Sequence, residues 1–436
     1  MFHVKLLSLS KSAFILLLFC LPFQIRIIYQ TPETYIGSVF SYTQAIMLYG
    51  TDILVLLVTL FYILSKEKVP FSNKGLISAT FLLITWLILS LFHMKQTLLP
   101  YYELIKWLEL LTIAYLTPKI FKTELDLRLG LFALFISGLF QALIGIIQFH
   151  VQHSLGLRAF GEYIAPLGTS GLATIDVLDE KLVRAYGTFP HPNLLAAFLV
   201  LSFAIGLYLV SRETESKLNQ IFVSCGTIII AIGIFFTFSR LSWFLAAALG
   251  LFYVSQQFTK KAYSKAILLL VILFVSCGTI VFTKPNLIGY GTELNTQSKS
   301  VVLRESFNKM GIDLITKKPL TGVGLGHYVS AMKQKFDLDD WQYQPPHNVF
   351  IFIAAETGLI GLVLFINYLW QIFRSTWNTK TNSEKVLLLA IFFSFLILSM
   401  FDHYFVTIQQ GRLMLFSLLG LMVSYSQLNK NNVAQS

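Results

Sequence analysis

The stretch PPHNVFIFIAAETGLIGLVLF, from Pro345 to Phe365, combines a proline stop with a long apolar run. A helix of about twenty residues crosses roughly 30 Å of hydrocarbon, so this run is long enough to enter a membrane. Three polar side chains are nevertheless placed in it, at His347, Asn348 and Glu356. The stretch predicts a membrane helix whose polar groups have a purpose other than solubility.

The whole chain has the composition of a polytopic membrane protein. Of its 436 residues, 55% are hydrophobic and 13% are charged, and the mean hydropathy is +0.68. The net charge of +11 comes from basic residues scattered between apolar runs, a distribution that does not indicate nucleic-acid binding. The three cysteines lie in apolar segments at spacings that fit neither a metal site nor a disulfide framework.

Apolar runs of about twenty residues recur about twelve times along the chain. The predicted spans lie near residues 12–29, 45–64, 76–93, 101–118, 128–149, 192–211, 220–237, 240–257, 265–283, 347–373, 386–405 and 410–428. The first run has no small-residue cleavage site after it, so we expect an uncleaved span. We therefore predict an all-α polytopic membrane protein of about twelve transmembrane helices, in one integral membrane domain over residues 1–436.

The distribution of basic residues predicts the orientation of these spans. With both termini in the cytoplasm, the inner segments hold more than twice as many Lys and Arg residues as the short outer segments. Two large loops, residues 150–191 and 284–346, then lie on the outer face. Because the inner connections are short and carry no nucleotide-binding motif, we expect any chemistry on the outside.

Two outer segments place basic side chains at the membrane edge. VRAYGTFPHPN carries Arg184, His191 and Asn193 immediately before a span. Helix capping explains Asn193 as well as a functional role does, but a cap requires neither an imidazole nor a guanidinium. FFTFSRLSW places Arg240 at the turn between two spans, where its guanidinium either reaches the lipid headgroups or binds a phosphate.

The second large loop contains SVVLRESFNKMGIDLITKKPLTGVGLGHY, residues 300–328. Its apolar spacing after Arg304 predicts an amphipathic helix on the membrane surface or over the bundle. The GVGLG run follows no strand, so it does not indicate a dinucleotide site, and its glycines allow backbone to approach backbone or substrate. Asp337 and Asp339 have a spacing that could hold a metal, but acidic residues in a polar loop are usually solvated.

The polar residues of the opening stretch have different explanations. Asn348, after two prolines, is explained as a helix N-cap. His347 lies at the membrane surface, and an imidazole there suits a general base. Glu356 lies about 13 Å deeper and about 180° around the helix, so we favour a supporting role in the bundle interior. Gly358 and Gly361 allow a neighbouring helix to pack closely.

MFDHYFVTIQQGR places Asp402, His403 and Arg412 at the last outer turn. These side chains either pair with one another or line the same cavity. We favour pairing, because ionisable groups inside a membrane protein usually find a partner.

These residues resemble the O-antigen ligase and polymerase superfamily of bacterial membrane glycosyltransferases. The resemblance rests on the pattern H-[N/S/Q]-x9-G-x-x-G, which is met by His347, Asn348, Gly358 and Gly361. Supporting matches are Ser239 with Arg240, the run from Arg304 through Pro319 to Gly326, and Pro192 with Asn193. The sequence departs from the family's R-x3-L element, because Phe244 stands where the leucine is expected.

The resemblance implies a GT-C-class enzyme of the inner (cytoplasmic) membrane that uses an undecaprenyl-diphosphate-linked glycan as donor. His347 then corresponds to the catalytic base, which accepts the proton of an acceptor hydroxyl as that hydroxyl attacks the anomeric carbon with inversion. Arg240 and Arg304 correspond to the arginines that hold the donor diphosphate. Because guanidinium groups supply the positive charge, we expect neither a metal nor a cofactor.

Other residues are expected to contribute less directly. Arg184 is a weaker candidate for donor binding, and the residues expected to support the cavity are Asn348, Glu356, His191, Arg412 and Asp402.

The sequence leaves the acceptor and the class of activity open. A lipid anchor, another repeat unit, a wall polymer or a protein would each offer a hydroxyl, so a ligase and a repeat-unit polymerase are both possible readings. A transporter or flippase of the lipid-linked glycan is the alternative from a different class, because many spans and intramembrane charges are typical of transporters as well.

Overall fold

Helices make up most of the computed structural model, which describes residues 2–67, 73–93, 97–162, 169, 171–177, 180–212, 216–283 and 299–435. In chain order the α-helices of these residues are α1 Phe2–Cys20, α2 Gly50–Leu64, α3 Lys74–Leu89, α4 Leu99–Ile120, α5 Glu124–Val151, α6 Pro192–Ser211, α7 Lys217–Phe236, α8 Arg240–Thr259, α9 Tyr263–Thr283, α10 Lys299–Lys317, α11 Tyr328–Lys335, α12 Val349–Trp377, α13 Ser383–Ser399, α14 Tyr404–Thr407 and α15 Gln409–Gln435. Short 3-10 helices are Ser90–His93, Arg158–Phe160 and Asp340–Gln342.

Six of the described helices are long and apolar enough to cross a membrane: α1, α5, α6, α7, α8 and α12. Helices α2 and α3 are apolar but shorter, and Tyr263–Thr279 forms a shorter apolar segment of α9. Large apolar side chains point outward, and Phe81, Phe244 and Phe274 are 67%, 66% and 77% exposed. Contact of such apolar side chains with lipid costs no free energy, whereas their exposure to water is unfavourable. The chain is a mostly helical integral membrane protein, and the count of twelve spans stays a prediction.

The N-terminal region differs from the prediction. A helix runs through most of each of the other eleven predicted spans, but α1 begins and ends earlier than the predicted span 12–29. Strand β1, Arg26–Tyr29, lies in that span and pairs antiparallel with β4, Ile46–Tyr49. The prediction was wrong there because the β-branched and aromatic residues Ile27, Ile28 and Tyr29 are equally apolar in a strand and in a helix.

Two further hairpins complete the described strands. Strand β2, Tyr35–Ile36, pairs with β3, Val39–Phe40, inside the β1–β4 hairpin. Strand β5, Thr174–Val177, pairs with β6, Glu180–Val183, in the first predicted outer loop. In the second predicted loop, α10 occupies the position of the predicted amphipathic helix, and residues 284–298 lie outside the described residues. The placement of both loops on the outer face stays a prediction.

Helix α6 lies in the centre of the bundle. Nearly all its residues are buried, and it packs against α5, α7, α8 and α13. A helix that is apolar on every face is typical of a protein interior or of a membrane span, and α6 lies in the interior. Helix α15 packs along α4, and α12 packs along α3 and α10. These contacts bring the start of α6, the start of α12 and the end of α13 to the same end of the bundle.

Helix α12 is broken at Gly358, whose backbone has φ 72° and ψ 176°. The GVGLG segment occupies the break. The amide of Val323 donates to the carbonyl of Ala355 at 2.8 Å, and the amide of Gly324 donates to the carbonyl of Glu356 at 2.7 Å. Backbone carbonyls left free by a broken helix must be satisfied when they lie in a membrane protein, and this segment satisfies them.

The break depends on close approach between two backbones. A Cβ atom on Gly358 would lie 2.0 Å from the carbonyl oxygen of Leu320, and one on Gly322 would lie 2.4 Å from that of Glu356. The expectation that the GVGLG glycines admit backbone matches this contact. Gly358, expected only to favour packing against a helix, instead has a positive φ that L residues rarely adopt.

Candidate functional site

Polar and titratable side chains from three helix ends meet at one end of the bundle. His347 and Asn348 precede α12, where two prolines end the preceding loop, and Asp402 and His403 lie in the turn between α13 and α14. Asn193 lies in the first turn of α6. Turns at helix ends leave backbone and side chains available for function, while the packed helices fix their positions. We call His347, Asp402 and His403 the His347 cluster.

The imidazole of His347 is held on three sides. Its Nδ1 lies 3.4 Å from Oδ1 of Asp402, an ion-pair distance that is outside hydrogen-bond geometry. The His403 ring lies beside it with a centroid distance of 5.2 Å. Phe307 of α10 stacks on it at 6.0 Å with an interplanar angle of 29°. Because the side chain is still 22% exposed, the ring is fixed but remains accessible to a substrate.

The carboxylate of Asp402 is buried and shared between several donors. Its Oδ1 accepts the backbone N–H of His403 at 2.9 Å, and its Oδ2 accepts Nδ2 of Asn193 at 3.2 Å. Burial raises the pKa of Asp402. The contact with His347 and the charges of the neighbouring imidazoles lower it by more, so the pKa is well below its usual range. Asp402 is therefore a carboxylate at neutral pH.

Arg184 orients Asn193 and, through it, Asp402. Its Nη2 donates to Oδ1 of Asn193 at 2.7 Å, and its Nε donates to the carbonyl of Thr237 at 2.6 Å. A chain of contacts therefore runs from the end of α7 through Arg184 and Asn193 to Asp402 and His347. Such second-layer contacts orient the groups that they touch.

His191 is the N-cap of α6. Its Nδ1 accepts the backbone N–H of Asn193 at 3.1 Å. Burial lowers the pKa of His191 to about 3, and the charge of Arg184 contributes to this shift. The imidazole is therefore neutral at pH 7 and able to accept. Capping, one of the two roles left open for Asn193, is performed by His191 instead, because the Asn193 side chain turns to Arg184 and Asp402.

Asn348 is the N-cap of α12, as expected from the two prolines before it. Its Oδ1 accepts the amides of Phe350 and Ile351 at 2.9 and 3.1 Å. Its Nδ2 also donates to the carbonyl of Met400 at 3.2 Å. This last bond was not predicted, and it ties the start of α12 to the turn that carries Asp402.

The two arginines expected to bind the donor lie on different elements. Arg304 precedes Phe307 by one turn of α10, so both side chains lie on the same face of that helix, and Phe307 stacks on His347. Arg304 is close enough for its positive charge to contribute to the lowered pKa of His191. Arg240 is the first residue of α8, near Thr237, to which Arg184 is bound.

Arg412 lies in a second cluster, which the sequence analysis did not predict. Its Nη2 contacts Oε2 of Glu103 in α4 at 2.6 Å, and both side chains are buried. Glu356 lines a small cavity with Glu103 and accepts the backbone N–H of Tyr328 at 3.4 Å. The expected pairing of Arg412 with Asp402 was wrong, because α15 packs along α4 and turns Arg412 towards Glu103. We call Glu103, Arg412 and Glu356 the Glu103 cluster.

A third cluster lies between α2, α4 and α15. Lys106 contacts Asp52 at 2.5 Å and Glu109 at 3.2 Å, and Nε2 of Gln409 donates to Oδ1 of Asp52 at 2.6 Å. We call these four residues the Lys106 cluster. The sequence contains a sign of it, because Glu103, Lys106 and Glu109 recur at helical spacing within one predicted span.

The acidic residues considered for a metal in the large loop show no such site in the described structure. Asp339 caps the 3-10 helix Asp340–Gln342, and Asp337 and Asp339 are exposed. The one group of described residues whose His, Cys, Asp or Glu ligand atoms converge is the His347 cluster, where one such atom from each residue lies within 4.8 Å of the others.

Comparisons with known proteins support the family resemblance. Residues 225–366 match the family model described as O-Antigen ligase. The General O-oligosaccharyltransferase of Acinetobacter baylyi is 27% identical over 228 residues, which cover 48% of this chain and 38% of that protein. A Rickettsia conorii protein whose name assigns it to the polysaccharide ligases is 28% identical over 96 residues, 20% of this chain and 23% of that protein.

The matches cover less than half the length of these relatives. The matched family segment contains Arg240, Arg304 and His347, whereas Arg184 and Asp402 lie outside it. The resemblance to the O-antigen ligase superfamily is confirmed.

Proposed function

We propose that this O-antigen ligase-like membrane protein transfers a glycan from an undecaprenyl-diphosphate-linked donor to an acceptor hydroxyl. We propose that the reaction takes place on the outer face of the inner (cytoplasmic) membrane and that both termini lie in the cytoplasm. The observation that carries the proposal is the pairing of His347 with Asp402, at the helix end where the family pattern begins. A fixed, accessible imidazole beside a buried carboxylate is the usual arrangement of a general base.

His347 is proposed as the base. Asp402 lies on the Nδ1 side of the ring, so it favours the tautomer with its proton on Nδ1 and leaves Nε2 free to accept. The acceptor hydroxyl then forms a bond to the anomeric carbon while Nε2 takes its proton. The negative charge of Asp402 stabilises the resulting imidazolium.

The arginines are proposed to bind the leaving diphosphate. The bond between the anomeric carbon and the diphosphate oxygen breaks, and its electron pair remains on the diphosphate. A guanidinium presents paired donors to phosphate and keeps its charge where water is scarce. Arg304 is the best placed, because its helix face also carries the Phe307 ring that stacks on His347. Arg240 is proposed as the second contact.

Arg184 is proposed as a positioning residue. Two of its nitrogens already bind Thr237 and Asn193, and Asn193 binds Asp402. Its contribution then reaches the reaction through Asp402. This assignment differs from the expected direct contact with the donor diphosphate, and it follows from bonds that Arg184 already makes.

Transfer by the purified full-length protein in detergent tests this proposal against transport. A transporter forms no new glycosidic bond, and detergent leaves no sealed compartment across which to move a substrate. We expect purified undecaprenyl-diphosphate-linked oligosaccharide to be consumed and a glycosylated acceptor to appear in mass spectra. Lipid, repeat-unit, wall-polymer and protein acceptors are offered separately, which also distinguishes a ligase from a polymerase.

Replacement of the base gives the decisive variant. We expect His347→Ala to abolish transfer, because no other side chain is proposed to accept the proton. The matched control is His153→Ala, since His153 is an exposed histidine of the loop after α5 and should transfer normally. Turnover of His347→Ala at the wild-type rate would rule out this role. Transfer by the wild type should also persist in EDTA, because guanidinium groups are proposed to supply the positive charge.

A further inference from the structure

We infer that the His347 cluster is also a binding site for a zinc-class divalent cation, and that the bound ion blocks transfer. Binding follows from the geometry of His347, Asp402 and His403 alone. The inhibition rests on the proposed function, since it requires His347 to act as the base. The ion is an inhibitor of this site and not a participant in the reaction.

The distances fit three ligands of a tetrahedral ion. Zinc binds imidazole nitrogen and carboxylate oxygen at about 2.1 Å, so two ligand atoms of a tetrahedron lie about 3.4 Å apart. Nδ1 of His347 and Oδ1 of Asp402 are separated by 3.4 Å. One ligand atom from each of His347, Asp402 and His403 lies within 4.8 Å of the other two, so modest side-chain movements bring three ligands to an ion at about 2.1 Å.

The ligand atoms are available, and their neighbours orient them. Nδ1 of His347 is buried and has no hydrogen-bond partner among the described residues. Nδ1 of His403 lies 2.7 Å from Oγ1 of Thr407, which leaves Nε2 as the free nitrogen of that ring. Asn193 holds Oδ2 of Asp402, which leaves Oδ1 towards His347. Contacts of this kind fix the orientation of metal ligands and strengthen binding.

The donor set selects the class of ion. Two imidazoles and one carboxylate suit zinc, copper or nickel, whereas magnesium and calcium prefer oxygen ligands. The positive charges of Arg184 and Arg304 also oppose a cation here, since both contribute to the lowered pKa of the neighbouring His191. An ion that binds through charge alone is therefore disfavoured, and an ion that forms strong bonds to nitrogen is favoured.

The tautomer of His347 explains why the ion would inhibit. A metal on Nδ1 of a neutral imidazole leaves the ring proton on Nε2. Nε2 is the atom proposed to accept the proton of the acceptor hydroxyl, and once protonated it has no lone pair to offer. The ion also occupies Oδ1 of Asp402, which otherwise stabilises the imidazolium. Binding thus removes the base without displacing the donor diphosphate.

Calorimetry on the full-length protein tests binding without any substrate. Zinc chloride is titrated into protein purified in detergent with a tag that contains no histidine, and magnesium chloride is the comparison ion. We expect one zinc per chain and no comparable binding of magnesium. His403→Gln should weaken zinc binding at least tenfold, whereas His153→Gln, which changes an exposed histidine, should bind zinc as the wild type does.

Asp402→Asn provides a second ligand variant if His403→Gln does not elute as a single folded species. The binding proposal is overturned if the wild type takes up no zinc, or if every folded ligand variant binds it as tightly as the wild type. These outcomes do not depend on transfer activity, so a wild type without activity would defeat the proposed function and leave the binding test intact.

The inhibition is tested by transfer in increasing zinc. Activity should fall by half at the dissociation constant found by calorimetry, recover when EDTA is added, and be unaffected by the same concentrations of magnesium. Zinc that binds to the cluster with no loss of transfer would overturn the blocking effect.

Discussion

The His347 cluster and the Lys106 cluster lie in the same bundle and differ in how completely their charges are paired. The Lys106 side chain is 4% exposed and contacts the carboxylates of Asp52 and Glu109. His347 is 22% exposed, and its Nδ1 has no hydrogen-bond partner among the described residues. Removal of one partner from a buried ion pair destabilises a fold, whereas a group left open can exchange a proton or bind a ligand.

The membrane environment accounts for the way in which each cluster finds its partners. Ionisable groups inside a bundle need partners because the surrounding lipid offers none. Helices α2, α4 and α15 each contribute to the Lys106 cluster, and the result is a polar contact between helices. The His347 cluster lies at helix ends instead, where a substrate can replace missing partners.

Asp402→Asn should have the largest effect on transfer. The amide keeps the size of the carboxylate but not its charge, so it cannot stabilise the His347 imidazolium. We expect kcat to fall by about a hundredfold to ten-thousandfold, with a much smaller change in KM, in steady-state transfer from the lipid-linked donor. Asp337→Asn, which changes an exposed loop carboxylate, is the matched control. Equal kcat in the two variants would show that the Asp402 charge is not used.

Lys106→Met should act on stability rather than on chemistry. Removal of the ammonium leaves the largely buried carboxylates of Asp52 and Glu109, each 12% exposed, without a cation, which costs about 3–5 kcal/mol for a pair of this kind. We expect a marked loss of thermal stability in detergent, with the folded fraction transferring glycan normally. The control is Lys309→Met, because Lys309 pairs with Glu305 at an exposed position, where a pair contributes little. Equal melting temperatures would contradict the structural role.

The sequence predicts the long helices of this molecule better than its short elements. Helices α6, α7 and α8 begin and end within three residues of the prediction, because apolar runs of that length have one stable form in a membrane. The prediction for the segment after α1 failed because the three apolar residues Ile27, Ile28 and Tyr29 fit either a strand or a helix. Local patterns therefore predict the long elements and leave the short ones ambiguous.

The site residues could be predicted only where neighbouring residues in the sequence determine their position. His347 and Asn348 follow a proline stop, and this marked them as the start of a helix with unusual polar groups. The partner of Arg412 could not be found in this way, because Glu103 lies 309 residues away in the sequence. The pairing of Asp402 with His347 likewise depends on how α12 and α13 pack. Contacts made by tertiary packing produce no regular residue spacing in the sequence, so a local pattern cannot predict them.

Gly358→Ala should have an intermediate effect that reaches the His347 cluster through α12. The new Cβ would lie 2.0 Å from the carbonyl of Leu320, and a positive φ is strained for alanine, at about 1–3 kcal/mol. We expect lower thermal stability and slower transfer, because the GVGLG segment must move off the break. Gly278→Ala is the control, since a Cβ there meets nothing within 4 Å. A Gly358→Ala protein as stable and active as the control would show that the break tolerates a side chain.

Asn348→Ala should have the smallest effect and the most specific one. Loss of an N-cap costs about 1 kcal/mol, and the same loss is expected for Asn73→Ala, which removes the cap of α3. Asn348 also donates to the carbonyl of Met400, and so it connects His347 to the turn that carries Asp402. The two variants should therefore lose similar thermal stability, while transfer falls only in Asn348→Ala. If transfer falls equally in both, capping alone explains Asn348, and the His347–Asp402 geometry does not depend on this bond.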